Sequence, residues 1–101
     1  MSIVKRLPKE KVFQAKMLLM SVNLEDKMDE ILSILEKAYR EKPWLLSGRS
    51  AAGVLSGLIY RIARQNGAQL TQREIAQAFT TTEVTVRNSC LIWEKIIHEE
   101  R

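Results

Sequence analysis

The chain has 101 residues, of which 46% are hydrophobic and 28% charged, and this length and composition predict one globular domain over residues 1–101 rather than a disordered chain. No apolar run approaches the ~20 residues that a membrane span needs, and no secretory leader is evident, so we expect a cytoplasmic protein without a membrane partner. The net charge of +4 is uneven, with basic residues concentrated in residues 1–20 and 47–101 and acidic ones in residues 21–46, which suits an anionic partner.

Helical periodicity dominates the sequence, and no stretch alternates between polar and apolar residues as a strand would, so an all-α fold is predicted. The first helix is expected to begin near Pro8, a residue tolerated in a first turn, and to end near Val22. Phe13, Met17 and Met20 recur on one side of it and form its predicted apolar face.

The second predicted helix spans roughly Glu25 to Glu41, with acidic residues in its first turn and basic residues in its last, as the helix dipole favours. Lys42 to Arg49 is interpreted as a loop that contains Trp44-Leu45-Leu46. We favour a plug that folds back onto the core for this apolar segment, and a docking patch for a partner is the alternative.

A third helix is predicted from the capping residue Ser50 to just before Gly67. Apolar residues cover most of its circumference, so it should be largely buried. Gly53, Ser56 and Gly57 place small side chains in its first half, where a neighbouring backbone can approach closely. This pattern is typical of a central helix surrounded by the others.

The last third of the chain predicts a helix-turn-helix over residues 71–99. Thr71 and Glu74 fit a capping box that starts a short helix ending near Phe79. Three threonines then interrupt the pattern, and Thr82 is placed to cap a final helix that extends to about Glu99. A helix, a three-residue break and a longer helix form the layout of this motif.

Steps of 100° per residue divide the last helix into two faces. The core face contains Cys90, which we interpret as a small buried hydrophobe rather than a reactive thiol. The full predicted core set is Val86, Cys90, Trp93 and Ile97, widened by Ile92 and Ile96. The outer set is Val84, Arg87, Asn88 and Leu91.

The outer face has the chemistry that reads a DNA major groove. Arg87 can donate two hydrogen bonds to guanine, Asn88 can pair with adenine, and Val84 can touch a thymine methyl group. A solvated surface without a partner is the alternative. Candidate contacts to the DNA backbone, which position a protein without reading sequence, are Arg49, Gln72, Arg73, Thr82 and Thr85.

No catalytic or cofactor site is predicted. Cys90 and His98 are the only cysteine and the only histidine, so they cannot build a structural zinc site. On one helix they lie about 12 Å apart along the axis, too far to form a nucleophile–base pair. The glycines form no phosphate-binding loop.

Two runs, Leu70-Thr-Gln-Arg-Glu-Ile-Ala76 and Thr82-Glu-Val-Thr-Val-Arg-Asn88, resemble the C-terminal cyclin-like repeat of archaeal transcription initiation factor B and of its eukaryotic counterpart. Gly48-Arg-Ser50, followed by the small-residue helix that ends in Leu58-Ile-Tyr60, is similar to the family's entry into its central helix. The resemblance covers about residues 24–96.

This resemblance implies a single five-helix cyclin-like domain with a C-terminal helix-turn-helix and without enzymatic activity. It implies binding to double-stranded promoter DNA just upstream of the TATA box, together with TATA-binding protein, and hence association with the nucleoid in a prokaryote. The positions that match Val84 and Arg87 read bases in the family. Contact with RNA polymerase is expected only through family regions that this chain lacks, namely a zinc ribbon, a linker and a first cyclin repeat.

Several residues depart from the family pattern at sites that matter for the motif. Thr80 replaces a frequent glycine, Thr81 stands at a turn position that is usually small and apolar, and Cys90 replaces a frequent aromatic residue. These departures bear on the DNA sequence preferred more than on the fold.

Two other functions are alternatives. One is a cyclin-fold adaptor that binds proteins through Trp44-Leu45-Leu46, and the other is an independent helix-turn-helix regulator that acts as a dimer.

Overall fold

The computed structural model describes residues 7–98, and all regular elements within them are helices. The predicted all-α fold is therefore confirmed. Glu99, the predicted end of the last helix, lies outside the described residues. In chain order the elements are α1 (Lys9–Ser21), a 3₁₀ turn (Glu25–Lys27) leading into α2 (Met28–Glu41), α3 (Pro43–Leu46), α4 (Ala51–Gln65), α5 (Gln72–Ala78) and α6 (Glu83–His98).

Helix α4 forms the centre of the domain and packs against α1, α2, α5 and α6. The side-chain oxygen of Ser50 accepts a hydrogen bond from the backbone N–H of Gly53 at 3.0 Å, which caps the helix as predicted. Nearly the whole circumference of α4 is buried, so the predicted central helix is confirmed. Its buried residues are Ala52, Gly53, Val54, Leu55, Ser56, Gly57, Leu58, Ile59, Ile62 and Ala63.

The segment predicted as a loop over residues 42–49 contains the one-turn helix α3, so the described domain has six helices rather than five. Pro43 occupies the first position of this turn, where its fixed φ suits a helix start. Leu46 is buried in the core and Leu45 half-buried, whereas Trp44 is 67% exposed. The predicted plug is correct for the leucines and wrong for Trp44.

The predicted apolar face of α1 is not the face that packs against the core, so this prediction is wrong. Phe13, Met17 and Met20 are 61%, 50% and 52% exposed, while Leu18 and Leu19 are buried on the other side of the helix. Apolar residues occur all round α1, so the spacing of its largest side chains does not single out one face. The contacts with α4 and α5 decide which side is buried.

Candidate nucleic-acid interface

A reciprocal cap fixes the beginning of α5. The Thr71 hydroxyl oxygen accepts a hydrogen bond from the backbone N–H of Glu74, and the Glu74 carboxylate accepts one from the backbone N–H of Thr71, both at 3.0 Å. The hydrogen bond from the Thr71 backbone N–H, followed by the effect of the Thr71 side chain, holds the pKa of the Glu74 carboxyl below its usual value. The predicted capping box is confirmed, and it sets the positions of Gln72 and Arg73 in the first turn.

The turn between α5 and α6 uses a left-handed residue. Thr80 has φ +55°, and the next residue, Thr81, donates its backbone N–H to the carbonyl of Ala76 at 2.8 Å. Helix α4 ends in the same way at Gly67, which has φ +71°. This geometry usually takes glycine at the left-handed position because a Cβ there is strained. The structure therefore explains why glycine is expected where Thr80 stands.

Helix α6 begins at the cap predicted for it. The Thr82 hydroxyl oxygen accepts a hydrogen bond from the backbone N–H of Thr85 at 3.1 Å, and the two hydroxyl oxygens lie 3.0 Å apart, within hydrogen-bonding distance. Thr82 is exposed and Thr85 half-buried. These two hydroxyls therefore stabilise the first turn of α6 through a local hydrogen-bond network.

The inner (core) face of α6 is hydrogen-bonded directly to the backbone of α4. The Ser89 hydroxyl oxygen accepts a hydrogen bond from the backbone N–H of Gly57 at 3.0 Å. The same hydroxyl donates to the carbonyl of Val54 at 3.4 Å, and the indole Nε1–H of Trp93 donates to that carbonyl at 2.8 Å. A Cβ on Gly57 would lie under 3.0 Å from Ser89 and from the backbone of Cys90, so only glycine allows this approach.

Two predictions for the core face of α6 need correction. Ser89 is fully buried, although its polarity excluded it from the predicted stripe, because the backbone of α4 satisfies its hydroxyl. Cys90, which was predicted to be buried, is only half-buried, as are Ile92 and Ile97. The small residues Gly53 and Gly57 on the facing helix were the sequence signal that a small side chain such as Ser89 would cross there.

Cys90 has the properties of an unreactive thiol. Its burial, together with the nearby Glu94 carboxylate, raises the pKa of the thiol to about 11, so the nucleophilic thiolate is scarce at neutral pH. Within residues 7–98 no group of three or more histidine, cysteine, aspartate or glutamate side chains is placed to hold a metal ion.

The outer face of α6 carries the predicted base-reading residues together. Val84 and Leu91 are 57% and 58% exposed, and Arg87 and Asn88 are exposed beside them. Val84, Arg87 and Asn88 lie in the first two turns of the helix, the part of a recognition helix that contacts base edges in a major groove. The structure thus presents one surface with an arginine, an amide and apolar groups, which we call the outer face (Val84, Arg87, Asn88 and Leu91).

The residues predicted to contact the DNA backbone lie at the starts of α4, α5 and α6. Arg73 is exposed and Gln72 half-buried in the first turn of α5. Arg49 is exposed immediately before the cap of α4, and its Nε donates to the carbonyl of Leu45 at 3.3 Å. Thr85 would lie 3.8 Å from a Cβ on Gly53, next to that cap, so the starts of α4 and α6 are adjacent.

Two residues beside the interface were missed by the sequence reasoning. The guanidinium of Arg64, in the last turn of α4, lies over the ring of Tyr60 with its Cζ 5.6 Å from the ring centroid. Both side chains line an open groove of about 540 Å³ that also includes Gln72, Arg73 and Glu83. An arginine near a helix end is ordinarily explained by the helix dipole, so its spacing in the sequence did not mark it as part of a site.

Comparison with known proteins gives one family for most of the chain. The sequence model named transcription factor TFIIB repeat matches residues 12–96. No solved structure matches the chain at a comparable level of significance. No helix in the described part of the chain is both long and apolar enough to cross a membrane.

Curated relatives match more than half of the chain. The chain is 46% identical over 57 residues to transcription initiation factor IIB of Pyrococcus horikoshii and 44% identical over 57 residues to transcription initiation factor IIB 1 of Thermococcus kodakarensis. It is 43% identical over 61 residues to transcription initiation factor IIB of Sulfurisphaera tokodaii. These alignments cover 56%, 56% and 60% of this chain but only 18%, 18% and 19% of the relatives, so the chain corresponds to a small part of their length.

Proposed function

The chain belongs to the transcription factor TFIIB repeat family, and from this premise we propose that it is the DNA-binding domain of a transcription initiation factor. It reads a promoter element upstream of the TATA box, in company with TATA-binding protein. The observation that carries this proposal is the outer face of α6, where Val84, Arg87 and Asn88 are exposed together at the start of the second helix of a helix-turn-helix.

The roles of these residues follow from their donors and acceptors. The planar guanidinium of Arg87 donates two parallel hydrogen bonds to the N7 and O6 atoms of a guanine. The Asn88 amide pairs with the N6 and N7 atoms of an adenine, and the methyl groups of Val84 contact the methyl group of a thymine. All three residues are exposed and lie outside the core, so their side chains are available to base edges.

The remaining candidates position the duplex. Arg49 and Arg73 are exposed cations on either side of the outer face, and each can neutralise a phosphate. Gln72 donates through its amide. The hydroxyls of Thr82 and Thr85 are bonded to each other and retain lone pairs and a hydrogen for one further contact.

Arg87→Ala tests the base-reading role. We expect discrimination at one base-pair position to fall by about 1–3 kcal/mol, with affinity for sequences already altered at that position unchanged. Electrophoretic mobility shifts on promoter duplexes substituted one base pair at a time, with TATA-binding protein present, measure this. Arg40→Ala, which removes an exposed arginine from the end of α2, is the matched control. An equal loss on every duplex for Arg87→Ala would contradict base reading.

A second candidate function is a protein-binding adaptor, because the ring of Trp44 is 67% exposed on the one-turn helix α3. Exposed tryptophans are enriched at the centres of protein interfaces. The adaptor predicts that Trp44→Ala abolishes capture of a protein partner while Arg87→Ala has no effect. The promoter-binding proposal predicts the reverse for DNA: Arg87→Ala lowers discrimination in the mobility shifts, and Trp44→Ala leaves them unchanged.

A further inference from the structure

An open groove on one flank of the outer face has the composition of an anion site. It lies between the end of α4, the start of α5 and the start of α6, and it is lined by Tyr60, Arg64, Gln72, Arg73 and Glu83 among others. Two guanidiniums, a phenol and an amide supply hydrogen-bond donors to it. Glu83, a carboxylate on its wall, is the first residue of α6, where the positive end of the helix dipole offsets its charge.

The Arg64 side chain contacts an aromatic ring rather than a carboxylate. Its guanidinium lies over the Tyr60 ring, 5.6 Å from the centroid, an attraction that limits the number of side-chain conformations. Within the described part of the chain, no carboxylate forms an ion pair with Arg64 or Arg73. Both arginines are exposed, so their N–H groups are available to a bound anion.

The groove and Arg49 lie on opposite flanks of the outer face of α6. On one flank, Cys90 and Glu94 border Tyr60 and Arg64 in a shared surface pocket. On the other flank, Thr85 packs beside the N-terminal cap of α4, which Arg49 precedes.

The placement of Arg49 and Arg64 suits a helix that lies in a major groove. Arg49 lies immediately before the cap of α4 and Arg64 in its last turn, so nearly the whole length of α4 lies between them. A B-DNA major groove is about 12 Å wide between its two bordering phosphate backbones. A helix inserted between those backbones therefore brings cations on its two flanks to opposite strands.

We propose that Arg64, held over Tyr60 and assisted by Arg73, binds a phosphate of the strand opposite the one that Arg49 approaches. This inference rests on the proposed function, since it takes the ligand to be the phosphodiester backbone of the DNA that α6 reads. Together the two arginines clamp the duplex across its major groove. The contact contributes affinity on every sequence and no base preference.

Salt titration of DNA binding by the full chain tests the clamp. The slope of log K against log salt concentration should become shallower by about 0.9 in Arg64→Gln, because one phosphate contact is lost. The same loss corresponds to about a five-fold weaker affinity at 0.15 M salt, equal for all duplex sequences. Arg64→Lys keeps the charge and should retain the slope. Arg40→Gln, with the same charge change on α2, should also retain it because it lies outside the groove.

The outcomes separate this inference from the proposed function. A slope and affinity for Arg64→Gln equal to those of the unaltered chain overturn the clamp, even where Arg87→Ala still loses discrimination at one base pair. An equal change in Arg40→Gln also overturns it, since the effect is then one of net charge alone. Failure of the unaltered chain to bind promoter duplex with TATA-binding protein present overturns both proposals. Thermal unfolding of each variant confirms that the compared proteins are folded.

Discussion

The two faces of α6 differ in what surrounds them: the inner face packs against α4, and the outer face is exposed. On the inner face, Ser89 and Trp93 are fully buried and bonded to the backbone of α4. On the outer face, Val84 and Arg87 are exposed and take no part in the core. The hydrogen bonds of the inner face fix the position of α6 on α4. They thereby also fix the positions of the outer side chains that a partner would contact.

The difference between the faces predicts how substitutions divide. Inner-face changes should lower the free energy of unfolding and affect DNA binding only through the folded fraction. Outer-face changes should leave the free energy of unfolding nearly unchanged and alter DNA binding directly. Each of the following variants breaks or sharpens this division.

Trp93→Ala should have the largest effect on the inner face. It removes a fully buried indole and the hydrogen bond from Nε1 to the Val54 carbonyl. We expect the free energy of unfolding to fall by about 3–5 kcal/mol, measured by urea denaturation. Trp93→Phe keeps most of the buried ring and should lose less. Equal losses in both variants would show that the hydrogen bond, rather than the packed volume, holds the inner face.

Gly57→Ala should have the next largest effect, although it adds only one methyl group. The new Cβ would meet Ser89 and the backbone of Cys90 at less than 3.0 Å, so α6 must move away from α4. Overpacking of this kind costs about 1–3 kcal/mol in the free energy of unfolding.

Gly53→Ala is the matched control on the same helix. The nearest atoms to its Cβ would be the Ser50 hydroxyl oxygen at 3.2 Å and the Thr85 methyl carbon at 3.8 Å, both in side chains. Since alanine favours a helix over glycine by about 1 kcal/mol, Gly53→Ala should not lower stability. A Gly57→Ala variant as stable as Gly53→Ala would contradict the close crossing of α4 and α6.

Val84→Ala should have the smallest effect on folding. The side chain is 57% exposed, so the free energy of unfolding should change by less than about 0.5 kcal/mol. On DNA we expect reduced preference for thymine at one position, because the methyl contact is lost. Thermal melts and mobility shifts on duplexes with thymine replaced by uracil, which lacks that methyl group, measure the two effects. A melt lowered by several degrees would place Val84 in the core instead.

The contrast between α6 and α1 shows where sequence patterns are sufficient. Helix α6 alternates between apolar and polar residues at helical spacing, so its outer face was predicted residue by residue. Helix α1 has apolar residues all round, and Phe13, Met17 and Met20 were assigned to the wrong side. Periodicity identifies the buried face of a helix only when the opposite face is polar.

The residues that surround the outer face show the same limit of sequence patterns. The caps at Thr71 and Thr82 can be recognised in the sequence because a cap needs residues only three positions apart. The groove around Tyr60 and Arg64 cannot be recognised in this way, because α4, α5 and α6 each contribute residues to it. The spacing of residues along the chain does not show that these three helices meet.

The sequence by itself determined five of the six described helices, the caps at Ser50, Thr71 and Thr82, the helix-turn-helix and the exposed set Val84, Arg87 and Asn88. These features depend on interactions within a few turns of chain. The tertiary structure decided that α1 buries Leu18 and Leu19, that Ser89 rather than Cys90 crosses α4 most closely, and that Arg64 lies beside the outer face. Each of these depends on how separate helices pack, and packing compares surfaces that are distant in the sequence.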